Sequence, residues 1–361
     1  MNRILRETFF AGFRVFFRRR NKLEVQMRRG RKMKHLAIDV GSGITKVCSE
    51  EGRVQFPSLA GIPDCLDRLE FEFKETKGAT VEFNRKTYVT GERAMSLVHP
   101  DKLVRTTDDQ WFDHDGYMAL LYAAMAEALP QNYNGKVAIC TGLPQASFSR
   151  SKEALVKKLA AKHSFRVNNV KYSVHIRKQD VQVMPQVMGL FLSRLALDTS
   201  LQLGRVALLD VGTYTSDWTL LEDCKTQHWA AGGSATGVSN VIHAISRYLR
   251  EELLMNCSDS TITKALRDGR IRRGNSWLPL GDQIADAVMD CSAEMIESVD
   301  RLWKGAKDAT MIVGGGGSRI FGPAISVRFP HARIISDPEP VFSIVTGYFV
   351  YMQQRQQQHA A

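Results

Sequence analysis

Two short stretches of this 361-residue chain combine residue types able to hold a polyphosphate and its cation. The first is Asp39-Val40-Gly41-Ser42-Gly43-Ile44-Thr45-Lys46, and the second is Asp210-Val211-Gly212-Thr213-Tyr214-Thr215-Ser216-Asp217. Glycine brings backbone N–H groups close to a phosphate with no Cβ in the way. The hydroxyls of Ser42, Thr45, Thr213 and Thr215 add donors, and Lys46 can neutralise a phosphate. Asp39, Asp210 and Asp217 can hold Mg²⁺, mostly through its waters. An ordinary hairpin turn would account for either stretch alone, but recurrence after a strand in both halves favours a function. A third stretch, Met311–Val313 running into Gly314-Gly315-Gly316-Gly317-Ser318, lets backbone approach a flat or phosphorylated ligand.

Elements must position these turns. Leu36–Ile38 and Val206–Leu209 are short buried-strand signals leading into Asp-x-Gly, and a second β-like run follows each, so each predicts a strand–turn–strand hairpin. Helical spacing predicts helices over 117–129, 150–162, 187–197, 237–254 and 284–303. Strand patterns occupy 81–83, 87–89, 137–140, 170–176, 181–184, 219–221 and 310–313. The reading is a mixed α/β chain of two related halves, with a charged insertion over about 64–115. A last helix, about 341–357 with a fraying Gln-rich end, is expected to return to the first half.

Composition narrows the function classes. At 44% hydrophobic and 24% charged the chain can bury a core, and no apolar run approaches a membrane span. Six scattered cysteines without a CxxC pair argue against zinc or a disulfide framework and fit a reducing cytoplasm. The net charge of +11 is concentrated in residues 1–33, which hold eleven Lys/Arg against two Glu, so the rest is nearly neutral and global charge does not argue for nucleic-acid binding. That extension interleaves arginines with Phe9, Phe10, Phe13, Phe16 and Phe17. It reads either as a basic amphipathic arm for an anionic membrane or DNA phosphates, or as an over-extended start before Met33. His243 and the five tryptophans read as packing, surface or interface residues. The cluster Arg267, Arg270, Arg272 and Arg273 reads as a solvated loop, with a filament or partner contact as the alternative.

The ordered set Asp39-x-Gly41…Lys46, Pro185-x-x-x-Gly189, Asp210-x-Gly212-x-x-Thr215-x-Asp217, Gly314-Gly315-Gly316 and a final helix resembles the actin/Hsp70/hexokinase superfamily over roughly 34–358. Phe56-Pro57-Ser58, Thr141-Gly142-Leu143-Pro144, Gly233-Ser234-x-x-Gly237-Val238-Ser239 and Pro338-Glu339-Pro340…Gly347 are similar to the ParM/StbA group of plasmid-segregating bacterial actins. The resemblance implies a duplicated actin-like (ribonuclease H-like) α/β fold, with two domains flanking a nucleotide cleft. These would be domain I over 34–204, domain II over 205–337, and a helix over 338–361 returning to domain I.

The resemblance further implies a cytoplasmic ATPase with ATP and Mg²⁺ as ligands. Asp39, Gly41, Ser42 and Lys46 would contact phosphates or the metal's hydration shell. Asp210, Gly212, Thr213 and Thr215 would form the opposing clamp, with Asp217 near the metal. Gly314, Gly315 and Gly316 would back the adenosine, Ser239 would reach the base, and Gln186 would orient the attacking water. Implied partners are further copies in a filament and a DNA-bound partition adaptor that contacts plasmid DNA indirectly. Membrane contact would run only through residues 1–33. The other readings are a membrane-attached or non-polymerising actin-like scaffold of the cell-division or pilus-assembly type, and a small-molecule kinase. For the kinase no acceptor motif is found. An Hsp70-like chaperone would need a sizeable substrate-binding region after Gly347.

Overall fold

The structure, a computed structural model, describes residues 33–64, 77–104 and 111–360. The basic aromatic segment before Met33, Cys65 and much of the expected insertion lie outside these residues. Two compact units form. One holds the described residues up to Leu143, Ser147–Ser200 and Ile344 onward, and the other holds Pro144–Ala146 and Leu201–Ser343.

The first unit is built on a ten-stranded sheet. Its strands are β1 (Lys34–Val40), β2 (Ile44–Ser49), β3 (Gly52–Pro57), β4 (Ala60–Gly61), β5 (Thr80–Phe83), β6 (Lys86–Thr90), β7 (Asn134–Leu143), β8 (Lys162–Val167), β9 (Val170–His175) and β10 (Val181–Pro185). They run in the order β3-β2-β1-β7-β9-β8-β5-β6-β4, with β10 also pairing β7. β1 is parallel to β7, which explains its apolar Leu36-Ala37-Ile38: a strand covered on both faces needs no alternation. Five α-helices among the described residues belong here: α1 (Glu92–Leu97), α2 (Asp115–Ala128), α3 (Phe148–Leu159), α4 (Gln186–Leu195) and, much later in the chain, the C-terminal helix. Helix α2 is buried almost all round, with Leu121, Met125 and Tyr122 in the core, as its near-continuous apolar sequence requires.

The second unit has a five-stranded sheet in the order β13-β12-β11-β16-β17. Its strands are β11 (Arg205–Val211), β12 (Ser216–Glu222), β13 (Lys225–Ser234), β16 (Ala309–Gly314) and β17 (Arg333–Ser336). A separate hairpin pairs β14 (Arg270–Arg273) with β15 (Ser276–Pro279). Helices α5 (Val238–Leu253), α6 (Asp259–Asp268), α7 (Gly281–Trp303) and α8 (Ser318–Arg328) complete it, and α9 (Ser343–Ala360) ends the described chain. The duplication is literal at the level of topology. Each unit has an antiparallel three-strand meander whose first strand is flanked by a parallel strand: β3-β2-β1-β7 in one and β13-β12-β11-β16 in the other.

Three expectations need correction. The helix expected over 150–162 ends at Leu159, because Lys162-His163-Ser164-Phe165-Arg166-Val167 alternates strictly between exposed and buried positions as a strand. Its pattern was hidden because His163 is an inward-facing residue. His163 accepts from the Tyr122 hydroxyl at Nδ1 (3.0 Å) and donates from Nε2 to the Leu159 carbonyl (3.0 Å). The arginine cluster read as a loop is instead the end of α6, capped by Gly269 in the left-handed region (φ 66°), followed by β14. The last helix runs on through the Gln-rich stretch to Ala360.

Two motif glycines are packing devices. The Cβ of an alanine at Gly347 in α9 would overlap the Gly189 carbonyl in α4, and one at Gly142 would overlap the Tyr348 ring hydroxyl. Helices α4 and α9 therefore cross backbone to backbone. Gly347→Ala should destabilise the first unit by about 3 kcal/mol, the upper end for overpacking, read as a lowered denaturant midpoint with unchanged slope. Burial also holds the His163 imidazole below its ordinary 6.5. The unfolded chain then binds the extra proton, so this contribution is intact above pH 6.5 and is lost as pH falls toward the lower folded value. Denaturant titrations on either side of that pH should show the loss, and His163→Phe should flatten it.

Candidate functional site

The β1–β2 hairpin places Asp39 directly opposite Lys46, with Gly41, Ser42 and Gly43 in the turn between them. Asp39 is almost wholly buried, at 1% exposure. A carboxylate so removed from water needs charged or strong donors. It has two: Lys46 Nζ donates to Oδ2 and Gln186 Nε2 to Oδ1, each at 2.8 Å. Gln186 is the first residue of α4, directly after Pro185 in β10. Three of the residues singled out by the sequence therefore meet in one cluster, from segments 147 positions apart. Gly41 is fixed by crowding, since a Cβ there would lie 2.9 Å from the Ile44 carbonyl and 3.0 Å from Lys46 Nζ. The Phe56-Pro57-Ser58 motif braces the turn. The Ser58 amide donates to the Gly43 carbonyl at 3.0 Å, and its hydroxyl shares a buried 2.8 Å hydrogen bond with Thr45 Oγ1.

The β11–β12 hairpin repeats the register, with Asp210 opposite Asp217 and Gly212–Thr215 in the turn. Lys46 and Asp217 thus hold equivalent places, each paired across the strands with the acid before the turn. In the first unit the pair is opposite in charge. In the second it is two carboxylates, both largely buried (8% and 3% exposed) and on one face of the sheet. Like charges so placed disfavour each other, an arrangement suited to a cation. Asp217 Oδ1 accepts from the Gln145 backbone N–H at 2.8 Å.

Neighbouring glycines shape this second turn. Gly212 N–H donates to the Thr215 carbonyl at 2.8 Å. The turn's own carbonyls accept from the start of α5: Val238 N–H to Gly212 O (3.2 Å) and Ser239 N–H to Thr213 O (2.8 Å). Gly237 is required there, because a Cβ would stand 2.5 Å from the Thr213 carbonyl. Ser239, expected to reach a base, is thereby tied through its backbone to the turn. Gly315 sits in the left-handed region (φ 81°), and a Cβ on it would overlap Asp210 Oδ1 and the Val211 carbonyl. Gly317 N–H donates to Val211 O at 2.8 Å. The glycine run is thus a wedge against the Asp210 turn, while Gly316 has only Val341 Cγ2 near its Cβ position, at 3.6 Å. Gly314 is the parallel partner of Asp210.

Sequence reasoning assigned no role to Ser58, Gln145 or Asn240, whose Oδ1 accepts from the Gly237 N–H at 2.9 Å. Ser58 belonged to a noted motif, and Gln145 directly follows another. Among the described residues no three or more His, Cys, Asp or Glu side chains cluster as a metal-ligand set. Among the described residues no helix is long and apolar enough to cross a membrane.

The family described as "Actin like proteins N terminal domain" matches residues 37–189, and "Archaeal actin homologue MreB-like, C-terminal" matches 208–327. No curated protein matches the chain by sequence. Among solved structures, a subunit of a 15-stranded ParM filament from Clostridium botulinum is similar at TM-score 0.74 and 20% identity, covering 90% of this chain and 99% of that one. The archaeal actin homologue Ta0583 in complex with ADP has a TM-score of 0.72 at 18% identity, covering 89% of this chain and 100% of its own. Bacillus thuringiensis ParM with AMPPNP has a TM-score of 0.67 at 15% identity, covering 90% and 99%. The duplicated meander with an acid–glycine turn in each copy coincides with these two domain matches in chain order, and on that ground the chain belongs to the actin-like proteins and has the two-domain fold of the ParM type.

Proposed function

We propose that the chain is a Mg²⁺-dependent ATPase whose nucleotide-bound form assembles into filaments, and that these filaments partition plasmid DNA through a DNA-bound adaptor. The observation that carries the reading is the repeated hairpin: the same register in both units puts an acid and a glycine turn at equivalent positions. Two of the fold's relatives were solved with ADP and with AMPPNP, and one as a filament, which supports adenine nucleotide and self-assembly.

Each turn has a distinct task in this proposal. Gly41, Ser42 and Lys46, and likewise Gly212, Thr213 and Thr215, bind nucleotide phosphates, and Gly314–Gly316 and Ser239 serve the adenosine. Asp210 and Asp217 hold Mg²⁺ mostly through its waters, while Asp39, the third acid expected at the metal, has both oxygens engaged by Lys46 and Gln186. The donor set fits: hard carboxylate oxygens, too few to enclose the ion, suit a metal that keeps waters and phosphate oxygens as ligands. When bound, Mg²⁺ would neutralise phosphate charge that builds during transfer.

Gln186 serves orientation rather than proton abstraction in this proposal. Its Nε2 is committed to Asp39, so its Oε1 faces the task of accepting from an attacking water. An amide is a poor base, and positioning is the larger demand in phosphoryl transfer. Lys46 has two roles to balance, since its ammonium is paired with Asp39 at 2.8 Å and also serves a phosphate. Assembly by a heterologous contact propagates into a helical polymer.

Light scattering at 90° after addition of ATP, ADP or a non-hydrolysable analogue tests this reading. Wild type should rise with ATP and decay on hydrolysis. Asp210→Ala should lose the rise. Gln186→Ala should keep the rise and slow phosphate release by roughly a hundredfold. Gly315→Ala, which displaces Asp210, should weaken nucleotide binding about tenfold or more. Flat scattering with retained nucleotide binding would favour the non-polymerising scaffold.

A further inference from the structure

The β14–β15 hairpin carries side chains that its own unit does not use. Ile271 faces inward and is buried, which anchors the ribbon. The other face presents Arg270, Arg272 and Trp277. Arg272 lies directly across from Trp277, and the Arg270 guanidinium stacks over the Trp277 ring at 4.7 Å. Trp277 is nevertheless 56% exposed. Arg273 adds a third exposed cation at the hairpin end. Tryptophan and arginine together are the residue types that dominate binding energy at protein interfaces. Here the stack also restrains Arg270 before any partner arrives.

The same unit carries a surface of opposite sign. Asp282, Asp286, Asp290, Glu294 and Glu297 recur along α7 at steps of four, four, four and three residues, so they share one face. All five are exposed, and among the described residues none of them makes an ion pair. Like charges at this spacing destabilise a helix, and from Asp282 to Glu294 no lysine or arginine lies between them; Arg301, one turn beyond Glu297, is the first cation on that face. The stripe spans roughly 22 Å of helix, longer than the four-residue ribbon that would meet it. A flat, two-cation ribbon with a central aromatic is complementary in charge to such a face.

We propose that the β14–β15 ribbon of one molecule docks on the acidic face of α7 in a second copy. Arg270 and Arg272 pair with the α7 carboxylates, and Trp277 is covered between them. The contact joins two different surfaces. It deepens the self-assembly reading, resting on it for the partner being a second copy, and it does not require nucleotide.

The full-length chain without nucleotide tests this by sedimentation velocity at low and high salt. Wild type should self-associate at low salt and return to monomer at high salt. Arg270→Glu/Arg272→Glu and Asp286→Arg/Asp290→Arg should each weaken association about tenfold or more. An equimolar mixture of the two variants should regain it, because the reversed ribbon meets the reversed stripe; this rescue also controls for misfolding. A monomeric wild type at low salt, or a mixture no better than either variant, would overturn the proposal. So would an Arg270→Glu/Arg272→Glu variant that keeps self-association but loses binding of a single-stranded oligonucleotide, which would make the ribbon a nucleic-acid surface. ATP-driven scattering is read separately on the same samples. Its loss in wild type speaks against the filament reading and leaves the salt-dependent contact to be judged on its own.

Discussion

A carboxylate taken out of water must be given donors, and in this chain that requirement organises the region around the first turn. Asp39 draws Lys46 from the next strand and Gln186 from a helix far along the chain onto its two oxygens. The partners hold one another: the lysine satisfies one oxygen of the acid, and the acid fixes which end of the Gln186 amide faces it. Gly41 has no side chain because a Cβ would press on the Ile44 carbonyl, 2.9 Å away. Bracing by Ser58 and Thr45 follows from the same need, since a turn that drifted would strand a buried charge.

The second unit meets the opposite condition with the same backbone. Where the first hairpin sets a lysine against its acid, this one sets another acid. Its scaffold responds with close backbone packing: Gly315 and Gly317 press on Asp210 and Val211, and Gly237 presses on Thr213. One register thereby pairs an acid with a lysine in one unit and an acid with an acid in the other. That asymmetry is a property of two side chains, Lys46 and Asp217, and of nothing else in the register.

Much of this was legible in the residues. Both hairpins, the glycine strand exit and the five long helices carry strong local signals, because apolar runs and glycine turns act at short range. The register that sets Asp39 against Lys46 and Asp210 against Asp217 follows from the equal spacing within the two motifs. What stayed hidden is instructive. Strand β8 was missed because His163 is buried through its bonds to Tyr122 and Leu159, which residue type alone does not announce. The β14–β15 ribbon was missed because its arginines mask an alternation whose only apolar members are Ile271, Trp277 and Leu278. The bond from Gln186 to Asp39 is a tertiary fact with no local trace. Nor does Thr141-Gly142-Leu143-Pro144 disclose that Gly142 exists to admit a tyrosine ring from the last helix.

The crossing of Gly189 over Gly347 has a mechanical consequence. With no side chains interposed, neither helix can roll or slide independently, so α4 and α9 behave as one stiff lever. Gln186 rides at one end of that lever, while the far end of α9 lies many turns away. A fluorophore attached toward the end of α9 would therefore serve as a remote gauge of the glutamine's tilt, without touching the turn it serves.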